Sequence, residues 1–159
     1  MKMERDFNLN LGNLKVDQLG YVYKDINKQM DIMKALYGIP QFAVFENKDN
    51  IFKYRGKDSK ISTRIAISRL FNTQIELIQL IEGECIFKEF IDSGREGLHH
   101  FGIYVKDLDS YIKEFNKKGI QVVHAGQTAK QRVAYMDTEK TFGIYLEFQE
   151  TVKKSRKKS

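Results

Sequence analysis

Two stretches of this chain, "DQLGYVYKDINKQMDIMKALYGI" at 17–39 and "HHFGIYVKDLDSYIKEFNKKGI" at 99–120, lie one on the other from their first residues. Gln18 falls on His100, Gly20 on Gly102, Lys24 on Lys106 and Asp25 on Asp107. Further on, "TRIAI" (63–67) matches "QRVAY" (131–135), and "QIELIQ" (74–79) matches "YLEFQ" (145–149). A unit of this length that occurs twice is no solenoid repeat and reads as one motif duplicated. Whatever the first copy folds into, the second must fold into as well.

Each copy opens on an apolar or alternating run that predicts a strand, 17–23 and 99–105. Asp25 and Asp107 follow as N-caps, because a short carboxylate accepts the free N–H groups of a first helical turn. The apolar spacing then turns helical, at Ile26, Met30, Met33 and Tyr37 and at Leu108, Ile112 and Phe115. Gly38 and Gly119 stop the helices. Strands are predicted at about 40–46, 62–70 and 73–81, then at 120–125, 131–137 and 143–150. The polar stretch 47–61 is read as a loop, and "ECIFKEFIDSG" (84–94) as a short helix. The fold class is α+β, with two tandem βαβββ modules. Their expected bounds are 15–82 and 98–150, with an N-terminal extension (1–14), a linker carrying the short helix (83–97) and a basic disordered tail (151–159).

Charge and cysteine usage narrow the setting. The pI of 9.3 suggests nucleic acid, but five basic residues sit in the last seven, and without them the formal charge falls from +6 to +1. A nearly neutral body argues for no nucleic-acid partner. No apolar run is long enough to span a bilayer, and "MKMERDFNLN" lacks the apolar core of a secretory signal, so no membrane partner is expected. Cys85 is the one cysteine, which fits a reducing, cytoplasmic location.

Strand parity selects the candidate site. Successive strand residues point to opposite faces. In 99–105 the helix-covered face takes His99, Phe101, Ile103 and Val105, leaving His100, Gly102 and Tyr104 on the other. In 143–150 the same logic leaves Tyr145, Glu147 and Gln149, and in 73–81 it leaves Gln74 and Glu76. Gln18, Glu76, His100 and Glu147 therefore share the face away from the helices, in repeat-equivalent pairs. Tyr104 and Tyr145 are read as cavity walls, His99 as a packed histidine and His124 as a surface one.

The doubled βαβββ pattern, with "EGLHHFGIYVKDLD", "RVAYMDTE" and "FGIYLEFQE", resembles the vicinal oxygen chelate superfamily over about residues 15–150. That family includes glyoxalase I, methylmalonyl-CoA epimerase, extradiol dioxygenases and bleomycin-resistance proteins. The resemblance implies that each module curls into a half-barrel with its helix on the convex face. It also implies a divalent metal on the concave face, held by Gln18, Glu76, His100 and Glu147. Three oxygen donors and one nitrogen suit Zn, Ni, Co or Mn in an open site. Such a site polarises a substrate carbonyl, while Glu147 first and Glu76 second carry the proton at the adjacent carbon.

The implied function is a metal-dependent isomerase, epimerase or lyase, acting in a homodimer on a small molecule such as an acyl-CoA or a thiol adduct. The places where glyoxalase I grips glutathione hold Val22, Glu96 and Leu80 here, against that substrate. "REGLHHFGIYV" is closer to methylmalonyl-CoA epimerase, although that enzyme's further glutamate base maps near 58–61, where Asp58 is the acid. Arg64 and Arg132 are further candidates for an anionic substrate, against the alternative of surface ion pairs. A non-catalytic binding protein of the bleomycin-resistance type is the other reading, since fold alone does not decide chemistry.

Overall fold

Residues 7–39 and 41–153 are described by the computed structural model of the chain. The elements run β1 (Gln18–Val22), α1 (Ile26–Tyr37), β2 (Ala43–Tyr54), β3 (Lys57–Leu70), β4 (Thr73–Glu82), α2 (Ile86–Asp92), β5 (Gly97–Tyr104) and α3 (Leu108–Lys117). They continue with β6 (Val122–Gln127), β7 (Gln131–Met136), α4 (Glu139–Phe142) and β8 (Tyr145–Thr151). Asp25 starts α1 by accepting the Lys28 N–H, and Gly38 ends it with a φ of 65°. Asp107 caps α3 in the same way through the Ser110 N–H.

The strands close into one barrel in the order β1-β4-β3-β2-β6-β7-β8-β5. β1 lies parallel to β4, and β5 parallel to β8. The two copies join antiparallel, at β1–β5 and at β2–β6. The expected half-barrels thus complete each other in a single curled sheet.

Three apolar cores follow from the alternation along the strands. α1 sets Ile26, Met30 and Met33 on Ala66, Ile75 and Leu77. α3 sets Leu108 and Phe115 on Ile103, Ala134, Leu146 and Phe148. The third core is inside the barrel, where α2 drives Ile86, Phe87 and Phe90 against Val22, Ile61, Ile78, Tyr135 and Tyr145 and plugs one end. Arg55 holds α2 from outside, its guanidinium 2.7 and 2.9 Å from the Glu89 carboxylate, which also takes the Tyr54 hydroxyl. Each buried Phe-sized side chain contributes about 1.5–3 kcal/mol, whereas an exposed ion pair contributes about 0–1 kcal/mol. The plug is held mainly by its apolar face.

The loop expected at 47–61 is a correction. β2 and β3 run through it as a long hairpin, turning at Arg55 and Gly56 with φ of 46° and 82°. Two consecutive positive φ values match the twist of the flanking strands. The polar run Asn47–Asn50 hid the alternation, and the pairing with β3 slips there. The short α4 had no counterpart in the expected pattern. At the C-terminus Thr151 ends β8 and the Val152 N–H bonds to the Lys130 carbonyl; the rest of the expected tail, 154–159, lies outside the described residues. No helix among the described residues is long and apolar enough to cross a membrane.

Candidate metal and substrate site

Inside the barrel the register sets the four parity-selected residues around the β1–β5 seam. Gly20 lies opposite both Glu76 and His100, and Gly102 opposite both Gln18 and Glu147. Each glycine makes room for the other copy's side chain. A Cβ at Gly20 would stand 2.0 Å from the His100 ring, and one at Gly102 would stand 2.9 Å from Oε1 of Gln18. His100 is completely buried, and its Nε2 has no hydrogen-bond partner. That nitrogen faces Oε2 of Glu76 at 3.6 Å and Oε1 of Glu147 at 3.9 Å. Gln149 Nε2 donates to Oε1 of Gln18 at 3.2 Å and, at closer range, to Oε1 of Glu147. Gln18 in turn donates through Nε2 to Gln74 at 2.8 Å. Burial pushes the Glu147 carboxyl up, His100 pulls it back, and the like charge of Glu76 pushes it up again. The Tyr135 hydroxyl also bonds to that carboxylate.

His99 departs from the parity rule. Along β5 the register passes from Leu98 opposite Tyr21 to His100 opposite Gly20, so His99 is the extra residue of a bulge. It turns away from α3 and packs edge-on against Phe87 and Phe90 of α2, at 5.3 and 5.0 Å between ring centroids. Its Nδ1 meets Nδ1 of His100 at 3.0 Å. The two histidines are in direct contact, where strict alternation had separated them.

His124 is the second correction. It is 1% exposed rather than on the surface. Its ring is stacked on Phe52 at 4.7 Å and lies edge-on to Tyr135 at 5.4 Å. A further bulge explains the turn inward, since β6 spends two residues, Val123 and His124, where β7 spends one. Burial drives the His124 pKa down to about 4, and burial together with the neighbouring His100 holds His99 well below 6.5. Unfolded histidine titrates near 6.5. Between these values the unfolded histidines bind more protons, so their contribution to stability is full above about pH 7 and is lost as pH falls toward 4, while the raised Glu147 carboxyl acts in the opposite direction. For His124 the loss is on the order of 3 kcal/mol. From about pH 7 to about pH 5 the melting temperature of the metal-free protein is expected to fall relative to that of His124→Phe, which lacks the titrating ring; parallel curves for the two proteins would contradict this.

Gln18, Gln74, Glu76, His124, Tyr135, Glu147 and Gln149 line a cavity of about 710 Å³, together with Phe45, Ile65, Ile67 and Val133, while His100 is buried behind the carboxylates. β2 meets β6 only at Lys53–Ala125 and Tyr54–His124, so the outer half of β2 and the 128–131 turn form the open side. Tyr104 lines the cavity as expected of a wall residue, whereas Tyr145 is packed into the α2 core. Arg64 and Arg132 do not line it. Arg64 binds Glu46 and Asn27, and Arg132 binds Asp109 and Glu150. Among the described lining residues the cation is Lys130. The places read against glutathione behave accordingly: Val22 is core, and Glu96 accepts the Lys24 N–H.

Comparison with known proteins places this geometry. The profile of the Glyoxalase/Bleomycin resistance protein/Dioxygenase superfamily matches residues 17–135. The chain belongs to this superfamily. Solved structures with a similar fold include a hypothetical protein from Bacillus halodurans, 22% identical, covering 91% of this chain and 99% of its own, with a TM-score of 0.61. Methylmalonyl-CoA epimerase from Mycobacterium tuberculosis is 16% identical over 86% of this chain and 87% of its own, with a TM-score of 0.60. A Streptomyces coelicolor methylmalonyl-CoA epimerase variant, solved in complex with 2-nitronate-propionyl-CoA, is 15% identical over 87% and 95%, with a TM-score of 0.64. A search of curated proteins returns no match.

Within the superfamily fold, the donor set present here fits a divalent cation. Among the described residues two carboxylates, one buried and one partly buried, face an unpartnered imidazole nitrogen, and a buried acid of this kind calls for compensation. Donors around one ion with bonds of about 2.0–2.2 Å stand roughly 3 Å apart. The separations of 3.6 and 3.9 Å are wider, and among the described residues no three His, Cys, Asp or Glu side chains form a ready-made ligand group. Glu76, Glu147 and His100 would have to draw in slightly to hold an ion, and the amide oxygen of Gln18 is the fourth available donor.

Proposed function

We propose that this chain is a metal-dependent isomerase or epimerase that moves a proton on the carbon beside a substrate carbonyl, with small acyl thioesters as the substrate class. The observation that carries the reading is the unpartnered, fully buried Nε2 of His100, which faces Glu76 and Glu147, two carboxylates that themselves line a 710 Å³ cavity. Gln18, Glu76, His100 and Glu147 are the residues that would hold the ion. Once bound, Zn, Ni, Co or Mn would supply Lewis acidity toward the carbonyl oxygen.

The chain's own residues do the rest. Glu147 takes the proton from the carbon and returns it, aided by a burial that raises its proton affinity. Glu76 is the second carboxylate within reach of the same nitrogen. Gln149 holds the Gln18 and Glu147 oxygens in register. Phe45, Ile65 and Ile67 present an apolar wall to the remainder of the substrate. A cavity whose described lining offers one cation, Lys130, suits a thioester better than the two carboxylates of glutathione. The likeness to methylmalonyl-CoA epimerases supports the thioester class at the level of fold.

The test is metal analysis of dialysed protein, followed by exchange of the substrate α-proton in D₂O, read by NMR. Methylmalonyl-CoA and the hemithioacetal of methylglyoxal and glutathione are the first two substrates. The expected result is stoichiometric divalent metal, exchange with the thioester, and loss of both in His100→Ala. A wild type that retains no metal and exchanges neither substrate overturns the reading. The binding-protein alternative then takes its place; the 3.6 and 3.9 Å separations between His100 Nε2 and the two carboxylates, wider than in a ready-made ligand group, are the observation in its favour.

A further inference from the structure

We infer that His124 is a substrate-contacting residue, meeting an uncharged oxygen of the bound molecule from the β6 wall of the cavity. The inference rests on the proton-transfer reading for the identity of the ligand, but its structural basis is separate. His124 lines the cavity, is 99% buried, and leaves Nδ1 without a hydrogen-bond partner. Buried polar groups are normally satisfied, and one left open beside a cavity points to a partner that the protein itself does not provide.

The ring is also held in place. Phe52 stacks on one face with an interplanar angle of 17°, while Phe87 and Tyr135 pack around it at 5.6 and 5.4 Å. Gly126 allows that stack, because a Cβ there would fall 2.2 Å from the Phe52 ring. Tyr135 bridges the two sides of the cavity, packing edge-on to His124 with its ring and bonding to Glu147 with its hydroxyl. Two further observations fix the chemistry of the partner. Burial keeps the imidazole neutral near pH 7, so it offers one N–H and one lone pair. Such a group recognises a carbonyl, hydroxyl or amide in preference to a carboxylate, which Lys130 at the open side would attract. His124 therefore acts on orientation and selectivity, leaving the proton chemistry to Glu147.

Three variants test this. His124→Phe and His124→Leu remove the polar atoms, and His124→Asn restores a polar atom close to the Nδ1 position. Binding of methylmalonyl-CoA to the full chain is measured by titration calorimetry with Mn present. Melting is measured without any ligand. Binding is expected to weaken about tenfold in the two apolar variants and to recover in the Asn variant, with metal content unchanged. Ligand-free melting is expected to stay level or rise in at least one apolar variant, because an unpartnered polar atom has been replaced by apolar surface. Wild-type affinity in a folded apolar variant overturns the inference. A fall of more than about 5 °C in both apolar variants overturns it too, since it assigns His124 to packing. If the wild type itself binds no methylmalonyl-CoA, the thioester reading fails on its own account, and the ligand-free melting still decides for or against His124.

Discussion

Gly20→Ala is expected to abolish tight metal binding while changing one hydrogen atom to a methyl group. The added Cβ would stand 2.0 Å from Cε1 and Nε2 of His100 and 2.4 Å from Nδ1, closer than any real contact. The ring has nowhere to retreat, because it is fully buried and packed against His99, Tyr135 and Phe87. Overpacking of this kind costs about 1–3 kcal/mol, so a folded but less stable protein is the expected product. Gly102→Ala provides a graded comparison, since its Cβ would meet Cβ and Oε1 of Gln18 at 2.9 Å and Oε1 of Glu147 at 3.2 Å, a milder clash than at Gly20. Metal content after identical dialysis should rank wild type, Gly102→Ala and Gly20→Ala in that order. Full metal occupancy in Gly20→Ala would show that His100 is not the ligand the seam positions.

Glu147→Gln is expected to lower the rate of α-proton exchange by on the order of 10²–10⁴. Glutamine keeps the size of the side chain and one coordinating oxygen but has no basic oxygen to take the proton. The site around it is polar on all sides, with Gln149, Gln18 and Tyr135 able to accommodate an amide. Metal binding should therefore weaken much less than turnover, and the two are measured on the same preparation by metal analysis and NMR exchange. A metal-loaded Glu147→Gln that exchanges at the wild-type rate would remove Glu147 as the proton carrier and shift that role to Glu76.

The duplication made most of the architecture readable before any coordinates. Asp25 and Asp107 mark helix starts that the structure reproduces, and Ile75, Leu77, Leu146 and Phe148 face the helices as alternation requires. Glu76 and Glu147 line the cavity, and His100 reaches the same centre for the same reason. Beyond the polar run that hid the β2–β3 hairpin and the short α4, what stayed hidden about the histidines has one physical origin, the β-bulge. Alternation counts residues, whereas a bulge adds one without advancing the pairing, so His99 and His124 turned to sides that simple parity denied them. Neither bulge has a proline or a tell-tale turn beside it. Gln149 was more accessible to reasoning, as it sits two residues beyond Glu147 on the same face. Arg64 and Arg132 were repeat-equivalent for a simpler cause, since each lies outside the cavity in a surface ion-pair position.

The α2 plug has a consequence for traffic. Phe87 belongs both to the α2 core and to the cavity lining, so α2 closes the cavity on its own side. On the proposed reading, a long substrate would put its reacting end at Glu147 and its tail along Asn47, Asn50 and Lys130. On that reading arrival and departure use the same side, and a spent molecule backs out before the next follows.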